Sequence, residues 1–226
     1  MSQDKASRIL DAAEALLLAY GYRKVTVDEV ASRAGVGKGT LYLYWPSKRE
    51  LFAAVLARDT ARLVAAQLAA LSRDPAEVRL HRAIRRSFLL TMRNPVSKAL
   101  ATGDHAMLGE VLAGNDAGSH YLVGKLETTA RYLAILWRHG LLADDPADPA
   151  LFYRLSAAVM GSYLLEAGLP PGVDLDLETR ADALATTLRR AFEPTAEPSQ
   201  ATLRAAADEL TDLHQQWLAD PSIPGA

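Results

Sequence analysis

The 226-residue sequence contains no cysteine. Disulfides, thiolate catalysis, thiol redox sensing and cysteine-based zinc sites are thereby excluded. Net charge is also scarce: 25 basic against 27 acidic side chains leave −2. Total charge therefore gives no reason to expect nucleic acid, and any basic surface has to be local. Long apolar runs are missing too. The longest uncharged one, "LSAAVMGSYLL", is too short to cross a bilayer. Asp4, Lys5, Arg8, Asp11 and Glu14 leave no room for the apolar stretch of a leader peptide. The five histidines (His81, His105, His120, His139 and His214) are scattered, with no H-x-x-x-H spacing that would hold a metal. No G-x-S-x-G nucleophile turn occurs. The expectation is a cytoplasmic protein with no membrane segment, no metal and no cofactor, and not an enzyme.

What is present is helical. Ala, Leu, Arg and Glu abound, and half of the residues are apolar, enough for a sizeable core. Ile9, Ala12, Ala13, Leu16, Leu17 and Tyr20 form one stripe at helical spacing, which Gly21 stops. Thr26 and Glu29 form a capping box that opens a short helix with Val27, Val30 and Ala31 inward, and Gly35 ends it. A third short helix runs from about Gly37 to Tyr44, interrupted by Trp45-Pro46. Ser47 and Glu50 open a longer helix that ends near Asp74-Pro75. Further helices are read at about 76–93, 96–113, 118–140, 148–167 and 176–192. After the linker "EPTAEPSQ" comes a last amphipathic helix at 201–219. The fold class is all-α: three short N-terminal helices in residues 1–50, then a larger helical bundle in 51–226.

The stretch "GVGKGTLYLYWPSKREL" joins a glycine–lysine element to aromatics. A nucleotide phosphate loop does not fit. Gly39 stands where Ser or Thr is required, Ser32 where the first glycine is required, and a capped helix precedes the stretch instead of a strand. A helix-turn-helix does fit, with the second helix bound for the major groove. Gly35 makes the turn, Gly37 leaves outward amides at a helix start, and Gly39 allows close approach. Lys38 reaches a base edge or a phosphate, and Thr40 offers a hydroxyl and a methyl. Tyr42 and Tyr44 can present hydroxyls to phosphates, and Lys48 can neutralise one. Leu41 falls on the core side. Tyr42 is either core or contact, Arg33 either a solvated charge or a phosphate contact, and Trp45 a packing wedge or a residue at the DNA. Residues 1–50 carry eight basic and six acidic side chains, so binding must come from placement on one face.

The segment "TVDEVASRAGVGKGTLYLYWPSKRELFAAVL" resembles the N-terminal domain of TetR-family transcriptional regulators. Their pattern is close to T-x-x-x-I-A-x-x-A-G-V-S-x-G-T-L-Y-x-Y-F-x-S-K-x-x-L. The resemblance covers roughly residues 7–55. It departs at Gly37, where the family usually has serine, and at Trp45, where it usually has phenylalanine. It implies an all-helical homodimer on a palindromic DNA operator, most often a repressor released by a small molecule. The DNA-binding candidates are Thr26, Arg33, Gly37, Lys38, Gly39, Thr40, Tyr42, Tyr44 and Lys48. A transcriptional activator, or a helical adaptor with a degenerate DNA-binding domain, is the alternative.

For the dimer, small residues among apolar ones point to Ala157, Ala158, Gly161 and Leu164 on one helix and Ala181, Leu184 and Leu188 on the next. In the family the corresponding two helices pair with their mates. An apolar effector would sit among the helices spanning 76–140, with Phe88, Met92, Met107, Tyr121, Tyr132 and Trp137 as walls and His105 and Arg131 as polar handles.

Overall fold

In a computed structural model, residues 2–104, 117–166, 168 and 172–219 are described. Side chains are described from residue 4 and, in the helix that begins at Ala117, from residue 127. Among the described residues the chain is all helical: α1 (Ser2–Lys24), α2 (Val27–Ala34), α3 (Lys38–Tyr44), α4 (Lys48–Arg73), a 3₁₀ turn (Pro75–Val78), α5 (Leu80–Arg93), α6 (Pro95–Thr102), α7 (Ala117–Arg138), α8 (Pro149–Leu165), α9 (Leu177–Phe192) and α10 (Gln200–Leu218). The sequence punctuation places most of these ends. Gly21 breaks the helical backbone with φ 74, although helix resumes to Lys24. Asp74, Asp148, Asp176 and Ser199 each cap the next helix start with a side-chain oxygen. One expected helix is shorter than read. α6 ends at Thr102 because Gly103 turns left-handed (φ 69) and the amide of Asp104 bonds back to Ala99. The expected helix to 113 runs through that glycine, and residues 105–113 lie outside the described residues.

The described residues form two compact units: 2–61, 95–104 and 117–124 in the first, and 62–94, 125–166, 168 and 172–219 in the second. The first unit thus extends beyond residue 50, where the sequence suggests a boundary, because α6 and the first half of α4 pack with α1. Its core gathers Ile9, Leu17, Val30, Leu41, Phe52 and Val96. Arg58 of α4 clamps α1 through Asp11 (2.7 Å) and Glu14 (2.6 Å). Ser97 of α6 hydrogen-bonds buried Asp59 of α4.

In the second unit α5 packs along α9, and α10 lies on the 3₁₀ turn. The turn and α9 are held by one buried carboxylate. Glu193 accepts from the Arg79 guanidinium (2.9 Å), from the His81 amide (2.9 Å) and from His81 Nδ1 (2.8 Å). Burial pushes this carboxyl up, but the His81 hydrogen bonds and the Arg79 charge outweigh it and hold the group below the usual carboxylate range. Removing one partner leaves the others buried and uncompensated. Glu193→Ala is therefore expected to lower stability by about 3–5 kcal/mol, read as the shift in urea unfolding free energy against Glu197→Ala, whose carboxylate is exposed and should matter little.

Candidate nucleic-acid interface

The unit α2–turn–α3 is built from local rules. Both arms of the capping box are present: the Glu29 amide donates to Thr26 Oγ1 (3.2 Å), and the Thr26 amide donates to Glu29 (2.7 Å). Gly35 takes φ 66, a conformation costly to any residue with a Cβ, and its amide closes on Ala31 and Ser32. The Val36 amide also returns to Ala31. Gly37 then starts α3 as an N-cap with no side-chain hydrogen bond (φ −72, ψ 147). Behind the unit, Leu41 is fully buried, and Tyr44 and Trp45 pack on the core with ring centres 5.5 Å apart. Trp45 thus has the wedge position.

In front, Gly37, Lys38, Gly39 and Tyr42 are exposed, with Thr26 and Arg33 exposed on α2 and at its start, and Thr40 half-buried. Lys38 pairs with Asp28 (2.8 Å), and that hydrogen bond holds its ammonium above the usual lysine range. Lys48 sits differently from the rest. Its ammonium donates to the Tyr22 carbonyl (2.5 Å) and lies 4.3 Å from the Tyr22 ring centre, so burial pulls its pKa down. Tyr44 also faces inward more than outward. Sequence reasoning missed Leu43, the most exposed large apolar side chain of the described residues at 86%. Its signal was available: Leu43 falls off the Leu41 face at helical spacing.

The described residues among those read from sequence as effector contacts do not line one cavity. Phe88 is sealed in the core against Tyr163, ring centres 5.2 Å apart. Trp137 is exposed, and Arg131, also exposed, donates to Gln216 (3.0 Å). Met92 is half-buried and lines no cavity described here. His105 and Met107 lie outside the described residues, as does the side chain of Tyr121. A cavity of about 170 Å³ does exist in the second unit, walled by Leu63, Val64, Ala83, Ile84, Leu90 and Leu210. Its polar side chains are Gln67, Ser87, Tyr132 and His214. Of the aromatic candidates whose side chains are described, only Tyr132 reaches it. Helix α10, which the sequence could not place, supplies one wall.

The interface residues read for α9 also need correction. Ala181 and Leu188 are 0% exposed and Leu184 is 6% exposed, so they belong to the protomer's own core against α5. α9 instead shows Thr179, Ala183, Thr186 and Arg190 to solvent. On α8 the reading and the geometry agree better. Ala157 and Leu164 are exposed, Ala158 and Gly161 are half-buried, and Tyr153 and Met160 extend the same apolar stripe.

A capped helix, a left-handed glycine turn and a second short helix with a lysine at its open end define a helix-turn-helix protein of the DNA-binding regulators. The chain belongs to the TetR family. Residues 9–55 match the family described as bacterial regulatory proteins, tetR family. An HTH-type transcriptional regulator of Mycobacterium tuberculosis is 33% identical over 72% of this chain and 76% of its own. The HTH-type transcriptional repressor KstR of Rhodococcus jostii is 36% identical over 48% of this chain and 53% of its own length, so the chain spans about half of that relative. A solved TetR-family regulator from Rhodococcus shares the fold, with TM-score 0.59 and 20% identity over 83% of this chain and 98% of that one. No helix among the described residues is long and apolar enough to cross a membrane.

Two outcomes follow from this geometry. A Cβ on Gly37 would meet only Thr40 Oγ1, at 4.0 Å, and the backbone already suits an N-cap. Gly37→Ser is expected to stabilise the fold by about 0.5–1 kcal/mol, seen as a small rise in Tm. His214 titrates at about 4 because it is buried. Between pH 6.5 and 4 the unfolded chain binds the extra proton, so this contribution to stability is lost as pH falls through that window. Wild type should lose about 2 kcal/mol more than His214→Leu between pH 7 and pH 5, measured by urea unfolding at both pH values.

Proposed function

We propose that the protein is a homodimeric, cytoplasmic transcriptional repressor that binds a palindromic operator in duplex DNA and leaves it when a small, largely apolar effector binds. The observation that carries this reading is the exposed open end of α3, where Gly37, Lys38 and Gly39 stand clear of the core that holds Leu41. In this reading residues 1–50 read DNA, and residues 51–226 hold effector and partner. Lys38 and Thr40 meet base edges, with Leu43 beside a thymine methyl. Thr26, Arg33, Tyr42, Tyr44 and Lys48 meet the backbone, and the glycines let it approach. Lys38 would leave Asp28, and Lys48 the Tyr22 carbonyl, to do so. The dimer forms through the apolar stripe of α8 with the exposed small residues of α9. Such a stripe is rarely left open to water on a monomer.

Release follows from continuity. α4 is one helix whose residues 48–61 belong to the first unit and 62–73 to the second. Leu63, Val64 and Gln67 line the cavity, while Arg58 and Asp59 hold α1 and α6. An effector that prefers one setting of α4 shifts the pair of α3 helices away from the one-turn spacing of about 34–36 Å that DNA demands. A repressor is favoured over an activator by the relatives' description; an adaptor would show no salt-dependent DNA binding.

Selection of bound DNA from a random pool tests the reading, and a two-fold-related site is expected. On that site Lys38→Ala and Thr40→Ala should each cost about 5- to 150-fold and relax one base position. Arg33→Ala should weaken all sequences alike and lower the salt slope by about one. If all three bind as wild type does, the assignment is wrong. For the dimer, a Cβ on Gly161 meets nothing within 4 Å in the protomer. Gly161→Trp should sediment as monomer while its circular dichroism stays helical, as should Leu164→Glu, each with a lower Tm because the contribution of association is lost. An undiminished dimer in both would remove α8 from the interface.

A further inference from the structure

The second unit's cavity differs from an ordinary packing defect in one respect. Three of its four polar side chains are already engaged by the protein. The Tyr132 hydroxyl donates to the Val78 carbonyl (2.8 Å). The Gln67 carbonyl accepts from Arg86 (2.8 Å). Ser87 shares a hydrogen bond with Tyr163. His214 stands apart: its Nδ1 is buried and has no partner. A buried ring nitrogen left unpaired costs free energy that a ligand atom could recover.

We propose that this cavity is the binding site for a small neutral molecule, an alcohol, phenol or ketone built on an apolar body, and that His214 of α10 anchors its polar atom through Nδ1. The proposal rests on the effector reading above and names the ligand class. Size sets one limit. A cavity of about 150 Å³ with apolar walls accommodates benzene, so about 170 Å³ holds roughly six to ten non-hydrogen atoms. Charge sets the other. None of the ten lining side chains is formally charged at neutral pH, and the imidazole stays neutral there. Arg86, which bonds the lining Gln67, is already paired with Glu77. A carboxylate or ammonium ligand would shed its water with no counter-charge to meet it. A neutral imidazole carries one N–H and one bare nitrogen, so either a carbonyl or a hydroxyl suits it according to tautomer.

The test is calorimetric titration of the full chain with benzyl alcohol, toluene and benzoate. These have nearly the same body and differ in the polar group. Benzyl alcohol should bind about tenfold tighter than toluene, and benzoate should not bind. His214→Leu should bring benzyl alcohol down to the toluene level and leave toluene unchanged, while His214→Gln, which keeps a hydrogen-bonding group, should retain most of the preference. The His214 Nδ1 resonance should move with alcohol and not with toluene. Circular dichroism establishes that each variant is folded. Equal affinity for alcohol and toluene, or an unchanged preference in folded His214→Leu, overturns the anchor. Tighter binding of benzoate overturns the neutral class, and no binding of any probe overturns the site. Binding as expected without release of selected operator DNA would sustain the site and sink the effector reading instead.

Discussion

The left-handed turn at Gly35 is the constraint on which the exposed face of α3 depends. Its amide is committed to the carbonyls that end α2, so α3 must leave at an angle that drives Leu41 into the core and turns Lys38 outward. A residue with a Cβ would strain that backbone while meeting no neighbour. The requirement is thus purely conformational. Contacts behind and beside α3 brace that exit. Trp45 fills the gap behind α3, Ser47 caps α4 through the Glu50 amide (3.2 Å), and Arg58 ties α4 to α1. A base-reading surface needs this rigidity, because side chains held loosely would spend binding energy on being ordered.

The second unit is organised by polar groups as much as by apolar ones. Glu193 joins the end of α9 to the start of α5, and Arg85 of α5 reaches Asp182 and Glu178 of α9. These contacts set the register of two helices whose apolar faces alone would tolerate sliding. Arg82 and Arg86 meanwhile converge on Glu77 of the 3₁₀ turn. The cavity lies beside this network and remains apolar because the arginines are spoken for.

What could be read from the sequence follows the range of the interactions. Local devices were legible: the capping box at Thr26, the stop at Gly35 and the periodic burial of Leu41 each depend on residues within four positions. The DNA-binding candidates share one short segment, and spacing suffices for the exposure of Gly37, Lys38, Gly39 and Tyr42 but not for the half-buried Thr40, Tyr44 and Lys48. Leu43 was passed over because an apolar residue in a helix is read as core by default. The stop at Gly103 is hidden for a similar reason, since apolar residues (Met107, Leu108, Val111 and Leu112) recur beyond it in the sequence. Long-range choices were not legible. Ala181, Leu184 and Leu188 carry the pattern of a buried face, but only the fold decides whether α5 or a second chain covers it. The cavity was beyond reach because its anchor, His214, arrives from a helix about eighty residues after Tyr132 and more than a hundred after Ile84.

The position of α10 also has an evolutionary meaning. It follows the linker at 194–199 and gives the cavity Leu210 and His214. Its segment of the sequence is distinct from those of α3 and α8. Substitutions there can alter the shape and polarity of one wall without touching the surfaces that would meet DNA or a second protomer. If the proposed reading holds, descendants of this chain could acquire a new chemical sensitivity while keeping the same DNA target, because the cavity wall and α3 are encoded in segments free to drift independently.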